Sequence, residues 1–165
     1  MTESDITRTR AAIVTLLNEL VGGAPADAAY VLNPTDPGLL RALDTLSAGE
    51  ASRVPPGHRS SIAAHVDHLR YGIGLMNQWA DGEDPFSDAD YRASWQRIVV
   101  ADSEWSHLRA ELARQLTAWA TNVQRPRPVD EKELTGMIAS VVHLAYHLGA
   151  IRQIAPALAG PRATD

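Results

Sequence analysis

The sequence predicts an all-α protein, a four-helix bundle with one short extra helix between the first and second long helices. Four long segments carry apolar residues at the three- and four-residue spacing of a helix face. No segment shows the strict alternation of apolar and polar residues that a half-buried strand requires. Because the 165 residues include no low-complexity stretch that would serve as a linker, we expect one domain over residues 1–165.

The first half of the chain contains one long and one short predicted helix. The long helix is expected over residues 5–21, and the Gly22–Gly23 pair ends it. Asp36 and Pro37 have the residue types of an N-cap and of a first helical position, so a short helix should follow them. Residues 49–57 are rich in glycine and proline, and we predict a loop there.

The second long helix is predicted to begin at Ser60 or Ser61 and to run to about Ala80. Ser87 and Asp90 have the pattern of a capping box, so the third long helix is expected to begin there and to continue to about residue 123. Residues typical of turns therefore bound both predicted helices.

Trp95 and Ile98 belong to the apolar seam of this predicted third helix. The last helix covers the apolar segment 134–158, and its core side includes Ile138. Eight apolar side chains share a helical phase on three of the long helices and should meet in one core: Ile62, Leu69, Ile73, Leu112, Leu116, Val141, Leu144 and Leu148.

Composition excludes several classes of protein. The net charge of −5 argues against a general nucleic-acid binder. We find no run of about 18 apolar residues and no secretory signal, so we expect no membrane partner and a cytoplasmic location. The chain has no cysteine and therefore neither disulfides nor a thiol nucleophile of its own. Fourteen arginines against the single lysine, Lys132, suggest a bacterial genome rich in GC.

Two histidines of the last helix, His143 and His147, are candidate metal ligands. Their four-residue spacing places both rings on one face of a helix, about 40° apart and beside its core side. His68 faces the same interior from the second long helix. Three neutral imidazoles from two helices would leave open coordination positions, as in catalytic metal sites. The same pattern also fits partly buried core histidines that are hydrogen-bonded and inert, and the spacing alone does not separate the two interpretations.

The sequence lacks the residues that several other kinds of catalytic or binding site require. A zincin helix needs Glu directly after the first His, whereas this chain has Leu144. A ferritin-like di-iron bundle needs Glu-x-x-His on two helices, and the sequence contains no such pair. Neither a GxSxG motif nor a phosphate-binding glycine loop occurs.

The run Ser61-Ile-Ala-Ala-His-Val-Asp-His68, followed far downstream by His143-Leu-Ala-Tyr-His147-Leu-Gly, resembles the DinB/YfiT-like family of bacterial proteins. The resemblance spans nearly the whole chain. It implies a four-helix bundle, often a homodimer, that binds a divalent metal through three His. Carried over, these ligands are His68, His143 and His147. The metal expected from the resemblance is Zn or Ni, with Fe or Mn as alternatives.

Two features depart from the family pattern or add to it. Many members have Gln three residues after the last His, where this chain has Ala150, so a polar contact near the metal or the substrate is expected to be absent. His65 lies one helical turn before His68. It is our candidate catalytic residue, as a general base, but a fourth ligand, a hydrogen-bond partner of a ligand and a plain core histidine are also open.

The resemblance implies a function as well. Characterised relatives include thiol S-transferases that use the metal to hold a low-molecular-weight thiol, such as mycothiol or bacillithiol, as thiolate. We therefore expect a metal-dependent enzyme that activates a thiol or water for a small-molecule substrate. The alternative is a non-enzymatic metal-binding or stress-associated homodimer. A substrate pocket should lie between the second and last long helices, where Gly72 leaves room and Trp79 forms a wall.

Overall fold

Helices dominate the protein in the computed structural model, which describes residues 3–158. In chain order they are α1 (Glu3–Gly22), α2 (Leu39–Asp44), α3 (Ala48–Ala51), α4 (Ile62–Ala80), α5 (Asp102–Gln124) and α6 (Glu131–Ile154). Single 3-10 turns occur at Ala93–Trp95 and Pro156–Leu158. The described residues form no β-strand, only an isolated bridge between Gly23 and Pro37. The predicted all-α bundle is therefore confirmed.

The four long helices pack as a ring in which α1 and α4 each contact both α5 and α6. Helices α4 and α6 are therefore direct neighbours, although residues 81–130 separate them in the chain. Side chains on their facing flanks meet in the bundle, which is what a ligand set drawn from both helices requires.

The predicted core is confirmed. All eight of its apolar residues are at most 7% exposed, and all belong to one continuous cluster of buried side chains. Burying aliphatic side chains of this size contributes roughly 1.5–3 kcal/mol each relative to leaving them in water. The helical phase read from the sequence is thus correct for α4, α5 and α6 at these positions.

The predicted start of the third long helix is wrong. Helix α5 begins at Asp102, and the carboxylate of Glu104 accepts a hydrogen bond from the backbone N–H of Ala101 at 2.8 Å. The Asp90 carboxylate instead accepts from the backbone N–H of Ala93, the first residue of the short 3-10 turn, at 2.9 Å. Trp95 consequently lies outside the helix, in the segment that leads to it.

Two smaller expectations are also corrected. Part of the loop predicted over residues 49–57 is helical, because Ser47 and Glu50 form a capping box that starts α3. The structure therefore has two short helices between α1 and α4. Ile138 is 48% exposed and lies outside the continuous cluster of buried apolar side chains.

Ser61 and Asp67 fasten the segment before α5 across the first half of α4. The hydroxyl of Ser61 caps α4 by accepting from the backbone N–H of Ala64 at 3.3 Å, and it donates to the carbonyl oxygen of Ile98 at 2.6 Å. The Asp67 carboxylate pairs with Arg97 at 3.0 Å. These contacts hold residues 93–98 beside the histidines of α4.

Helix α6 is, among the described helices, the one long and apolar enough to cross a membrane, with a hydropathy of 1.4 in its most apolar window. Eight of its residues are buried in the bundle, and a capping box of Asp130 and Glu133 starts it. A core helix of a soluble protein has the same length and composition. The packing of α6 against α1 and α4 favours that interpretation.

Candidate metal centre

Three histidines meet where α4 faces α6: His68, His143 and His147. One ring nitrogen from each lies within 4.8 Å of those of the other two. The ring centroids of His143 and His147 are 4.4 Å apart, and that of His68 is 5.3 Å and 5.1 Å from them. Imidazole nitrogens grouped in this way can hold one metal ion.

The cluster is buried on one side and open on the other. His147 is 1% exposed and His68 is 8% exposed, so both rings lie inside the bundle. His143 is exposed, because it lies one turn of α6 closer to the surface. Access to the three ring nitrogens is therefore from the side of His143.

A hydrogen bond from His68 to Ser94 determines which nitrogen of His68 is free. The Ser94 hydroxyl donates to the carbonyl oxygen of Tyr91 at 2.7 Å, and its oxygen lies 2.8 Å from Nδ1 of His68. Because the hydroxyl has a single hydrogen, Nδ1 of His68 must be the donor in the second contact. A neutral imidazole carries one N–H, so Nε2 of His68 keeps its lone pair for a ligand.

His65 plays the corresponding part for His147. Their Nδ1 atoms are 2.9 Å apart, which is a hydrogen bond in which one ring donates to the other. The nitrogen of His147 that remains is Nε2, and it has a free lone pair when His147 is the donor and His65 the acceptor. His65 then lies behind His147, on the far side from the ligand position. Among the roles left open by the sequence, this contact favours that of an orienting partner.

Trp95 covers the buried side of the cluster. Its ring stacks on His68 with centroids 4.4 Å apart and meets the edge of His65 at 5.0 Å. The apolar pattern predicts Trp95 in the seam of the third long helix, whereas the structure places it at the end of a 3-10 turn before α5. No spacing rule connects Ser94 with His68, so this partner had no signal in the sequence.

The four clustered histidines are neutral at pH 7. Burial, followed by the proximity of His143, His65 and His68, lowers the pKa of His147 to about 3. Burial and the proximity of His143 and His65 lower the pKa of His68 to about 4, although Asp67 partly opposes this. Burial also lowers the pKa of His143 and, together with His58, that of His65.

These observations fit a divalent metal. The candidate ligands are unprotonated imidazoles, and hydrogen bonds at the opposite nitrogen orient two of them. Such bonds are typical of metal-binding histidines. Imidazole ligands without thiolates suit Zn, Ni, Cu and Fe. The chemistry of the donor set therefore supports a metal site rather than hydrogen-bonded core histidines.

An apolar cavity of about 710 Å³ opens beside His143, between α4 and α6. Most of its lining residues are apolar, and they come from both helices and from the segment after α4. They are Gly72, Ile73, Met76, Phe86, Tyr91, Thr135, Gly136, Ile138, Ala139, Ser140, Val142, His143 and Tyr146.

The two predicted pocket residues lie at or next to this cavity. Gly72 lines it. Trp79 packs behind it, and the centroid of its ring is 5.6 Å from that of Phe86. The ring also lies close to Gly136, because a Cβ added at Gly136 would be 2.7 Å from Cζ3 of Trp79. The role of Trp79 as a pocket wall stays a prediction. The two other histidines, His58 and His107, are exposed and lie outside the cluster.

Comparison with known families agrees with the geometry. The family model described as the DinB superfamily matches residues 35–151, which is more than half of the chain and includes all three candidate ligands. No curated protein and no solved structure matches the chain. The length of the family match shows that this chain belongs to the DinB superfamily.

Proposed function

We propose that this protein is a divalent-metal-dependent enzyme that activates a low-molecular-weight thiol, such as mycothiol or bacillithiol, or water, for transfer to a small-molecule electrophile. The observation that carries the proposal is the convergence of three neutral imidazoles, each with a ring nitrogen available, beside an apolar cavity. His68, His143 and His147 would hold the ion. We propose Zn or Ni as the metal, with Fe or Mn as alternatives.

A divalent cation in this position would lower the pKa of a coordinated thiol, so that the thiolate is present at neutral pH. The chain contains no cysteine, so the thiol comes from a second molecule. Its sulfur forms a bond to the electrophilic carbon while the leaving group departs with the electron pair of the broken bond. The thiol proton passes to water or buffer, and no covalent enzyme intermediate is needed.

The side chains around the ligands hold them in position. Ser94 accepts the Nδ1–H of His68, and His65 contacts Nδ1 of His147, so that each ligand keeps its tautomer and ring orientation. Trp95 stacks on His68 and meets the edge of His65, which restricts the orientation of both rings. We propose His65 chiefly as a positioning residue. Its predicted role as a general base stays a prediction.

Steady-state assays with mycothiol or bacillithiol and a generic electrophile test the proposal, comparing metal-loaded with chelated protein. We expect turnover above the buffer rate only with metal, and calorimetry should detect thiol binding to the loaded form. His65→Gln should lower metal affinity and kcat together if His65 only orients His147, whereas a general base would lower kcat more than metal content. His107→Ala is the matched control, because His107 is exposed on α5 and away from the cluster.

If no thiol binds to the loaded protein and turnover equals the buffer rate, the alternative becomes the better account: a non-enzymatic metal-binding or stress-associated bundle.

A homodimer and a cytoplasmic location are further proposals, drawn from the family resemblance. Sedimentation velocity tests the first, and a mass that stays monomeric at every concentration would contradict it.

A further inference from the structure

The cavity beside His143 indicates the kind of molecule that it accepts. We propose that it binds an uncharged, mainly apolar molecule, aromatic or alkyl, and that this molecule is the electrophile of the reaction proposed above. The role of this molecule as the electrophile rests on that proposed function. The binding itself can be tested without any turnover.

The size and shape of the cavity suit a small molecule. Its volume of about 710 Å³ lies within the range of small-molecule sites in proteins, roughly 300–1,000 Å³. Buried residues form its inner wall, since Ile73 is 3% exposed and Ser140 is 6% exposed. Tyr91 and Tyr146 stand at its mouth with 46% and 69% exposure. The cavity is thus an open groove with a buried apolar floor, on which one face of a ligand of moderate size leaves water.

The lining has little to offer an ionic ligand. None of the lining residues that the structure describes is Asp, Glu, Lys or Arg. The Thr135 hydroxyl already donates to the carbonyl oxygen of Glu131 at 2.7 Å. The Ser140 hydroxyl donates to the carbonyl oxygen of Met137 and accepts from Nε1 of Trp119. A charged group on this wall would lose its hydration without gaining a partner, whereas apolar groups gain from leaving water.

The position of the cavity links it to the metal centre. His143 belongs to both, as a candidate ligand and as a lining residue. It is also the exposed member of the cluster, whereas His68 and His147 are buried and do not line the cavity, so the cavity adjoins the ligand set through His143. A molecule in the cavity consequently lies next to the place where a metal-bound thiol would react.

Gly72 provides the means to test this. It lines the cavity from α4, and a Cβ at this position would meet no atom within 4 Å. The side chain in Gly72→Leu should therefore fill the space without a clash, and leucine is a better helix former than glycine. Gly149→Leu is the matched control, because Gly149 is an exposed residue of α6 with equally open surroundings and lies outside the lining.

The experiment is a fluorescence titration of the zinc-loaded full chain with 1-N-phenylnaphthylamine, an uncharged aromatic dye. We expect saturable binding to the unaltered protein and to Gly149→Leu, and at least a ten-fold weaker affinity in Gly72→Leu. Toluene should displace the dye, and glucose should not. Circular dichroism confirms that both variants are folded, so that a loss of binding reports on the cavity.

The outcomes separate this inference from the proposed function. Dye binding that Gly72→Leu blocks supports the inference even if no thiol is turned over. Absence of saturable binding, or equal binding by Gly72→Leu, overturns it even if a small polar electrophile such as iodoacetamide reacts. If the protein sediments as a dimer and the dye binds only after dilution to monomers, a second copy covers the cavity and the inference is wrong.

Discussion

Glu19 and the histidine cluster are both buried polar sites, but only one of them is complete. The Glu19 carboxylate is 3% exposed and accepts hydrogen bonds from the backbone N–H groups of Tyr30, Val31 and Leu32. Burial alone would raise its pKa, but these N–H groups outweigh that effect and lower it. Glu19 thus anchors the loop after α1 with its hydrogen-bonding capacity used by the protein itself.

The histidines differ because their outward nitrogens have no such partners. His68 and His147 each use Nδ1 in a hydrogen bond, to Ser94 and His65, which leaves Nε2 of each ring without a protein partner among the described hydrogen bonds. Burying a polar group without a hydrogen-bond partner costs free energy. A buried polar site with a purely structural role therefore tends to have its hydrogen bonds made within the protein, as Glu19 has. The comparison indicates that the histidines are arranged for a ligand that the protein chain does not supply.

The largest expected difference between the two sites is the pH range in which each loses its contribution to the stability of the metal-free protein. The lowered pKa values of His68 and His147 mean that the unfolded state binds more protons than the folded state below the ordinary value of 6.5. This contribution to stability is complete above about pH 6.5 and is lost as the pH falls toward 4 and 3. The contribution of Glu19 is lost only below its ordinary value of 4.5.

Between pH 8 and 5, urea denaturation therefore detects the contribution of the histidines, while that of Glu19 is retained. We expect the unfolding midpoint of the metal-free protein to decrease through this window. His147→Leu should flatten the decrease, because one buried group no longer has to become charged, whereas Glu19→Gln should leave the slope unchanged. An unaltered slope in His147→Leu would show that the cluster is not buried as described.

The next largest effect is expected from Glu19→Ala. The substitution leaves three backbone N–H groups without their acceptor, and we expect a loss of about 3 kcal/mol in the free energy of unfolding. Glu19→Gln should cost about 1 kcal/mol, since Oε1 can still accept. Both changes are measured by urea denaturation. Metal content per folded chain should stay constant, and its loss would mean that the two sites are coupled.

A smaller effect is expected from Ser94→Ala. His68 loses the acceptor that fixes its tautomer, and substitutions of this kind reduce metal affinity roughly 10–100-fold. We expect the lower end of that range, about 1.4 kcal/mol for ten-fold. Competition with a zinc-sensitive dye measures the affinity. Ser87→Ala is the control, because Ser87 lies in the same segment and its hydroxyl contacts only the carbonyl oxygen of Asp84 among the described partners. Equal affinities in both variants would contradict the role of Ser94.

The helical parts of this protein could be predicted because their signals are local. The apolar stripes of α4, α5 and α6 predict the eight core residues correctly and bring His68, His143 and His147 into one cluster, in which His143 is exposed. The segment before α5 could not be predicted in the same way. Asp90 has the residue type of a helix cap in either arrangement, and only the contacts of Ser61 and Asp67 with this segment decide where it lies.

The same reason explains which site residues were missed. Ser94 and Trp95 reach the cluster through that segment, so their positions depend on tertiary contacts and not on helical spacing. His65 was identified, but its hydrogen bond to His147 joins two helices that are distant in the sequence. The sequence therefore does not distinguish an orienting partner of a ligand from a general base, whereas the contact between the two helices favours the orienting partner.

Metal stoichiometry tests the central claim most directly. Protein reconstituted with zinc and freed of excess ion should contain one zinc per chain by elemental analysis, and so should His107→Ala. His143→Ala and His147→Ala should contain much less than one, and zinc at 100 times its Kd should raise the unfolding free energy of the unaltered protein by about 2.7 kcal/mol. Unchanged zinc content in both ligand variants would contradict the account and leave the cluster a set of core histidines.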